Sequence, residues 1–285
     1  MGVQITRSFQ IKCILAKFFD LFGINRLWLR RLNRKYHNQY IRMVNYHFSP
    51  KKDAAAFEAQ VQWLLTAFEP CDRAKLDAFL AGDYQFSSKP GIIFTFDDGF
   101  LENYEVAHPI LQKYGVTGWY MISSGLVGKR GYVGDYGWPM DYIDAEQLRA
   151  LDAQGEVIAC HTHAHHRMNE TDTPEILKAE ITDAKAELEE LLGHAVDIFC
   201  WCGGEEETYT KAAADVIRAS GFRYGFMTCS SPVTRDSDLY QLDRANLEPS
   251  WPLSLLRFQV CGPMDRWFQA KRERVRAKTK EEKLS

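Results

Sequence analysis

A chain of 285 residues with 46% hydrophobic and 13% aromatic residues can bury a full-sized core, which excludes a disordered polypeptide and suits one α/β barrel with short extensions. The net charge of −3 conceals an asymmetry: residues 1–50 carry +8, residues 265–285 carry +4, and the stretch between carries −15. An acidic body argues against nucleic acid as a partner, and the basic ends point to solvated tails or to peripheral contact with an anionic membrane.

In chain order, residues 1–40 read as a basic amphipathic extension. Ile11, Ile14, Leu15, Phe18, Phe19 and Phe22 recur at helical spacing, with Arg7, Lys12 and Lys17 off that stripe. Such a helix either lies in a membrane interface or packs on the body. Lys12, Lys17 and Asp20 interrupt the apolar residues and leave no signal-peptide core and no spanning segment. A cytoplasmic protein, peripheral to the inner face of the membrane, is therefore expected. Met1-Gly2 through Thr6 meets the short myristoylation pattern, which chance satisfies often. The seven cysteines are odd in number and lack a Cys-x-x-Cys pair, in keeping with a reducing compartment.

From residue 41 on, short apolar runs alternate with helical patterns, as in βα units wound into a parallel sheet or barrel. Strands are predicted at 41–46, 91–96, 117–122, 156–160, 196–201 and 222–228, and helices at 53–67, 101–113, 144–153, 174–192 and 208–220. The fourth helix is the best marked: Thr173 caps it, Pro174 suits its first turn, and Gly193 ends it. Residues 123–143, rich in Gly and aromatics, have no period, and a loop of that length is often functional. The catalytic domain is placed at 41–262, followed by a basic C-terminal helix or tail at 263–285.

Two segments carry chemistry. Asp97 and Asp98 stand side by side at the C-terminal end of the apolar strand 91–96, the end where barrels build active sites. Two adjacent buried carboxylates repel unless a cation or a proton lies between them; alone, Asp97-Asp98-Gly99 also fits a turn that caps the next helix. The second segment follows strand 156–160 and holds His161, His163, His165 and His166. His161 and His165, four residues apart, can meet on one face, and neutral imidazole is the commonest metal ligand. One carboxylate and two imidazoles leave coordination positions open, as in a catalytic rather than a structural metal site.

With these residues in view, the chain resembles the polysaccharide deacetylases, the family-four carbohydrate esterases with a nodulation-deacetylase homology domain. Thr95-Phe96-Asp97-Asp98-Gly99 matches the family's T-F-D-D-G motif, and His161-Thr162-x-x-His165 matches its H-[ST]-x-x-H motif. The likeness spans roughly residues 43–247. It implies a distorted (β/α) barrel, a divalent metal, zinc by its donors, held by Asp98, His161 and His165, and Asp97 as the base that activates water. Phe199-Cys200-Trp201-Cys202-Gly203-Gly204 stands where the family has a third motif, with Cys202 in place of proline, Gly203 at the oxyanion position and no arginine. Arg244 lies in a Leu-x-Arg-x-Asn segment like that of many relatives; it either replaces the missing arginine or forms a surface salt bridge. No histidine follows His194, and Met43-Val44-Asn45-Tyr46-His47-Phe48-Ser49 looks like the N-terminal motif that supplies the general acid in one branch of the family, which implies that role for His47.

The resulting expectation is removal of an N-acetyl group from an amino sugar in surface polysaccharide or lipopolysaccharide assembly, on a lipid-linked or nucleotide-linked substrate. The alternatives are a deformylase or other amide hydrolase of the same fold and an inactive glycan-binding relative, against which the intact ligands and base argue. Thiol chemistry at Cys200 and Cys202 lacks a His/Asn partner pattern.

Overall fold

The computed structural model describes residues 7–134 and 136–281; the myristoylation pattern lies outside them. Seven parallel strands close into a barrel: β1 Ile41–Tyr46, β2 Gly91–Phe96, β3 Gly118–Ile122, β4 Val157–Cys160, β5 Ile198–Cys200, β6 Tyr224–Met227 and β7 Leu242–Asn246. Their order around the ring is their order in the chain. β1 closes it, pairing with β2 from Ile41 opposite Gly91 to Tyr46 opposite Phe96, and with β7 from Met43 opposite Arg244 to Asn45 opposite Asn246. This is a distorted (β/α) barrel with seven strands in place of eight.

Side chains alternate between the barrel interior and the helical layer. Val44, Phe94, Phe96, Tyr120 and Phe199 pack outward in the larger core, whereas Met43, Ile93, Trp119, Met121, Ile198 and Phe226 fill the interior toward the N-terminal ends of the strands. Two residues further along, the inward positions turn polar. Asn45 follows Met43, Thr95 and Asp97 follow Ile93, His161 follows Ala159, and Arg244 follows Leu242, all of them buried. The strand period thus delivers one polar group after another to the C-terminal mouth.

The six predicted strands and five predicted helices are present, with ends shifted by a few residues. Helix 174–192 is one rod with a π-helical stretch, Lys178–Asp183, between Pro174–Leu177 and Ala184–Leu192. The helix expected at 101–113 contains a π-helical turn, Asn103–Ala107, ahead of Pro109, which has no N–H to continue a regular ladder. β7 was not among the predicted strands, because Asp243 and Arg244 interrupt its apolar pattern. Both are buried ion-pair partners: Asp243 accepts from Arg276 at 2.6 Å and Arg244 reaches Asp97. Around the barrel lie the further helices Arg7–Leu21, Ile24–Tyr36, Arg73–Ala81, Leu253–Val260, Pro263–Trp267 and Gln269–Thr279.

Candidate active site

The loops after β1, β2, β4, β5 and β7 meet at the C-terminal mouth around a cleft of about 450 Å³, lined by His47, Asp97, His161, His165, Gly203 and Arg244 among others. Backbone strain is concentrated here. Asp98, Thr162 and His165 are three of the six non-glycine residues with positive φ among the described residues, at 72°, 64° and 59°. For a β-branched residue such as Thr162 this conformation is a genuine outlier that the surroundings must enforce. Its hydroxyl accepts from the His166 N–H at 3.0 Å and meets the Cys202 thiol at 3.5 Å, which holds the histidine turn in shape. Cys202, which stands where the family's motif has proline, donates to the His161 carbonyl at 3.4 Å and so ties the β4 and β5 loops together.

Asp98 Oδ1 lies 3.2 Å from His161 Nε2 and 3.0 Å from His165 Nε2. His161 Nδ1 is 2.9 Å from the Cys200 carbonyl, which can only accept, so the ring proton sits there and Nε2 of the neutral ring aims a lone pair at the carboxylate. Asp98 Oδ1 is a buried oxygen without a hydrogen-bond donor. A lone pair aimed at an unsatisfied carboxylate oxygen, with a second imidazole nitrogen 3.0 Å from the same oxygen, calls for a cation, so these three residues fit a divalent metal.

Asp97 has a different setting. Both of its oxygens are gripped by Arg244, Nη1 to Oδ1 at 2.6 Å and Nη2 to Oδ2 at 2.9 Å, and Asn45 donates to Oδ2 at 2.9 Å. Arg244 is fully buried and donates further to Thr95 Oγ1 at 3.0 Å and Asn45 Oδ1 at 3.2 Å. The surface salt bridge left open by the sequence is therefore a buried, bidentate pair. Burial pushes the Asp97 carboxyl up, and the Arg244 guanidinium above all more than offsets it, so the group is held below the ordinary value. His47, just past β1, places Nε2 3.9 Å from Asp97 Oδ2 with its ring partly open to the cleft. Gly203 stands at the cleft wall with φ 82°, where a side chain would come within 3.0 Å of Glu205 Oε2. Cys200 and Cys202 are buried, and burial drives both thiols well above their ordinary range, leaving no thiolate nucleophile.

Three residues at the site escaped the sequence reading. Asn45 sits inside the His47 segment, where the alternation of β1 was the available signal. Tyr136 comes from the aperiodic 123–143 loop and donates to Asp98 Oδ2 at 2.5 Å. Glu248 lines the cleft two residues after β7, and burial raises its carboxyl; nothing in the sequence marked it.

The profile of the polysaccharide deacetylase family matches residues 86–225, a stretch that holds both motifs but neither His47 nor Arg244. YxkH of Bacillus subtilis is 26% identical over 201 residues, covering 70% of this chain and 66% of its own length. The poly-beta-1,6-N-acetyl-D-glucosamine N-deacetylase of Staphylococcus aureus is 24% identical over 216 residues, 70% of this chain and 71% of that enzyme. Among solved structures, IcaB from Ammonifex degensii superposes with a TM-score of 0.65 at 20% identity over 80% of this chain and 97% of that one. The Streptococcus pyogenes deacetylase PplD, in complex with acetate, gives 0.63 at 20% identity over 77% and 98%. These likenesses carry the barrel fold.

Proposed function

This chain carries a polysaccharide deacetylase domain, and from that premise we propose that it removes the N-acetyl group of an amino sugar in a surface polysaccharide or its lipid-linked or nucleotide-linked precursor, releasing acetate and a free amine. The observation that carries the reading is the opposite setting of two adjacent carboxylates. Asp98 turns an unsatisfied oxygen to two imidazoles, while Asp97 is clamped by a buried arginine at the edge of an open cleft.

Asp98, His161 and His165 would hold a divalent metal, zinc by its donor set, which when bound would supply Lewis-acid polarisation of the acetyl carbonyl. Asp97 takes the proton from the attacking water. Arg244 and Asn45 fix the plane of that carboxylate, so the base is positioned before substrate arrives. The Gly203 N–H donates to the acetyl oxygen as charge develops on it. His47, within reach of Asp97 and open to the cleft, gives a proton to the departing nitrogen.

Incubation of zinc-reconstituted protein with N-acetylglucosamine oligomers and with lipid-linked and nucleotide-linked N-acetyl sugars tests the reading. Acetate and new primary amine should appear in equal amounts. Failure to release either from any of these carriers overturns it.

A further inference from the structure

The helices Arg7–Leu21 and Ile24–Tyr36 have two sides with different fates. On the inner side, Ala16 is fully buried and packs with Phe9, Cys13 and Phe19 against Leu255, Phe258 and Met264; Phe19 meets Phe258 edge-on at 5.1 Å. The polar residues of that side are tied down as well. Lys12 donates to Gln259 at 2.7 Å, and Asp20 accepts from Arg257 at 2.9 Å.

At about 100° per residue, Ile11, Leu15, Phe18 and Phe22 point away from that side, flanked by Ile14 and Leu21. These six, with Leu27 of the second helix, are 39–81% exposed and make up seven of the thirteen exposed large hydrophobics among the described residues. Scattered single apolar residues are normal on a monomer; a contiguous row is not. The row is bordered by cations. Lys17, Arg26, Arg30, Arg31 and Arg34 are all exposed, and none is paired with an acid among the described residues.

We propose that this helix pair lies on an anionic lipid surface, with the apolar row at the acyl boundary and the lysine and arginines at the headgroup phosphates. No helix among the described residues is long and apolar enough to cross a membrane, so the contact is one of lying on the surface. A second copy of the chain is a poorer occupant, because a twofold pairing of the row sets its basic borders against each other. Gln259, held by Lys12, also lines the catalytic cleft, so the docked helix is joined to the cleft through one side-chain contact.

Flotation of the full chain with vesicles tests the proposal. The protein should float with phosphatidylcholine vesicles that contain phosphatidylglycerol, much less at high salt, and not with phosphatidylcholine alone. Phe18→Glu and Ile14→Glu, both at exposed positions, should abolish flotation with the circular dichroism unchanged. Arg26→Glu and Arg30→Glu should each lower partitioning about fivefold or more. Acetate release from soluble oligomers should be the same in all four variants, and flotation is read whether or not acetate is released, so failure here and failure of the deacetylase reading are told apart. Absence of wild-type flotation, equal flotation of Phe18→Glu, or a stable dimer that Phe18→Glu dissociates would overturn the proposal.

Discussion

Asp97 and Asp98 are adjacent in the chain and equally buried, yet they belong to opposite halves of the cleft. Strand alternation sends Asp97 into the barrel, where Arg244 and Asn45 saturate it, while the left-handed turn at Asp98 swings the next carboxylate toward the histidine loop. One half resembles a finished ion pair and the other an unfinished one. The difference shows how a two-residue motif yields two electrostatic settings: the barrel supplies a fixed cation to one carboxylate and none to the other.

The strongest way to break this comparison is to remove the unfinished half. Asp98→Ala, His161→Ala and His165→Ala should each lose the roughly one equivalent of divalent metal that the wild type retains after zinc reconstitution and gel filtration, by elemental analysis. Wild-type protein without metal after reconstitution would remove the basis for the Asp98 half.

Asp97→Asn should act the other way, keeping the metal while turnover falls ~10²–10⁴-fold. It also strands the Arg244 guanidinium in a buried site, so the fold should lose about 3–5 kcal/mol in a denaturant titration. Emptying of the metal site in this variant would exchange the roles of the two aspartates. His47→Gln should cost ~10²–10⁴-fold on an amide, yet far less on an activated ester whose leaving group scarcely needs a proton. Equal losses on the two substrates would assign the acid elsewhere.

A milder test acts on the finished half. Arg244→Lys keeps a positive charge but loses the bidentate grip, so the Asp97 carboxyl should rise from its depressed value. Because the base must be ionised, the acid limb of the kcat/KM profile should move to higher pH. Stability follows the same sign: a depressed carboxyl contributes above the unfolded value of about 3.9 and is lost as pH falls through the lower folded value. The variant should therefore unfold at a higher pH on acidification. An unmoved acid limb would show that Arg244 does not tune the base.

The sequence made the Asp98 half more legible than its counterpart, for a physical reason. Asp98, His161 and His165 lie in two compact motifs, each readable within a few residues, whereas the partners of Asp97 come from β1 and β7, at the two ends of the barrel domain. Barrel closure alone brings Asn45, Asp97 and Arg244 together, and closure leaves no local mark on the chain. The same cause hid β7: a strand whose inward position carries an arginine breaks the apolar run by which strands are recognised. The helix Leu253–Val260 escaped for a related reason: it is buried along most of its length under the N-terminal helix and shows no clean amphipathic period.

Tyr136 joins the two halves to the loop whose function was expected without a residue to assign. Its hydroxyl reaches Asp98 Oδ2, and its ring packs at 5.0 Å from Phe48, 5.5 Å from Phe100 and 5.6 Å from Trp138. Burial first, and the Asp98 carboxylate second, push the phenol up, so it remains a proton donor at any working pH. In the proposed metal site, a donor on the oxygen that faces away from the histidines would orient the carboxylate, the kind of support whose loss weakens binding by about 10–100-fold. Tyr136→Phe keeps every ring contact and removes only that bond. In competition with a chromophoric chelator its zinc affinity should fall about tenfold, with the fold intact and turnover at saturating metal nearly unchanged. Tighter binding in the phenylalanine variant would mean that the hydroxyl competes with the metal for Asp98, and the loop would then guard the site against metal rather than complete it.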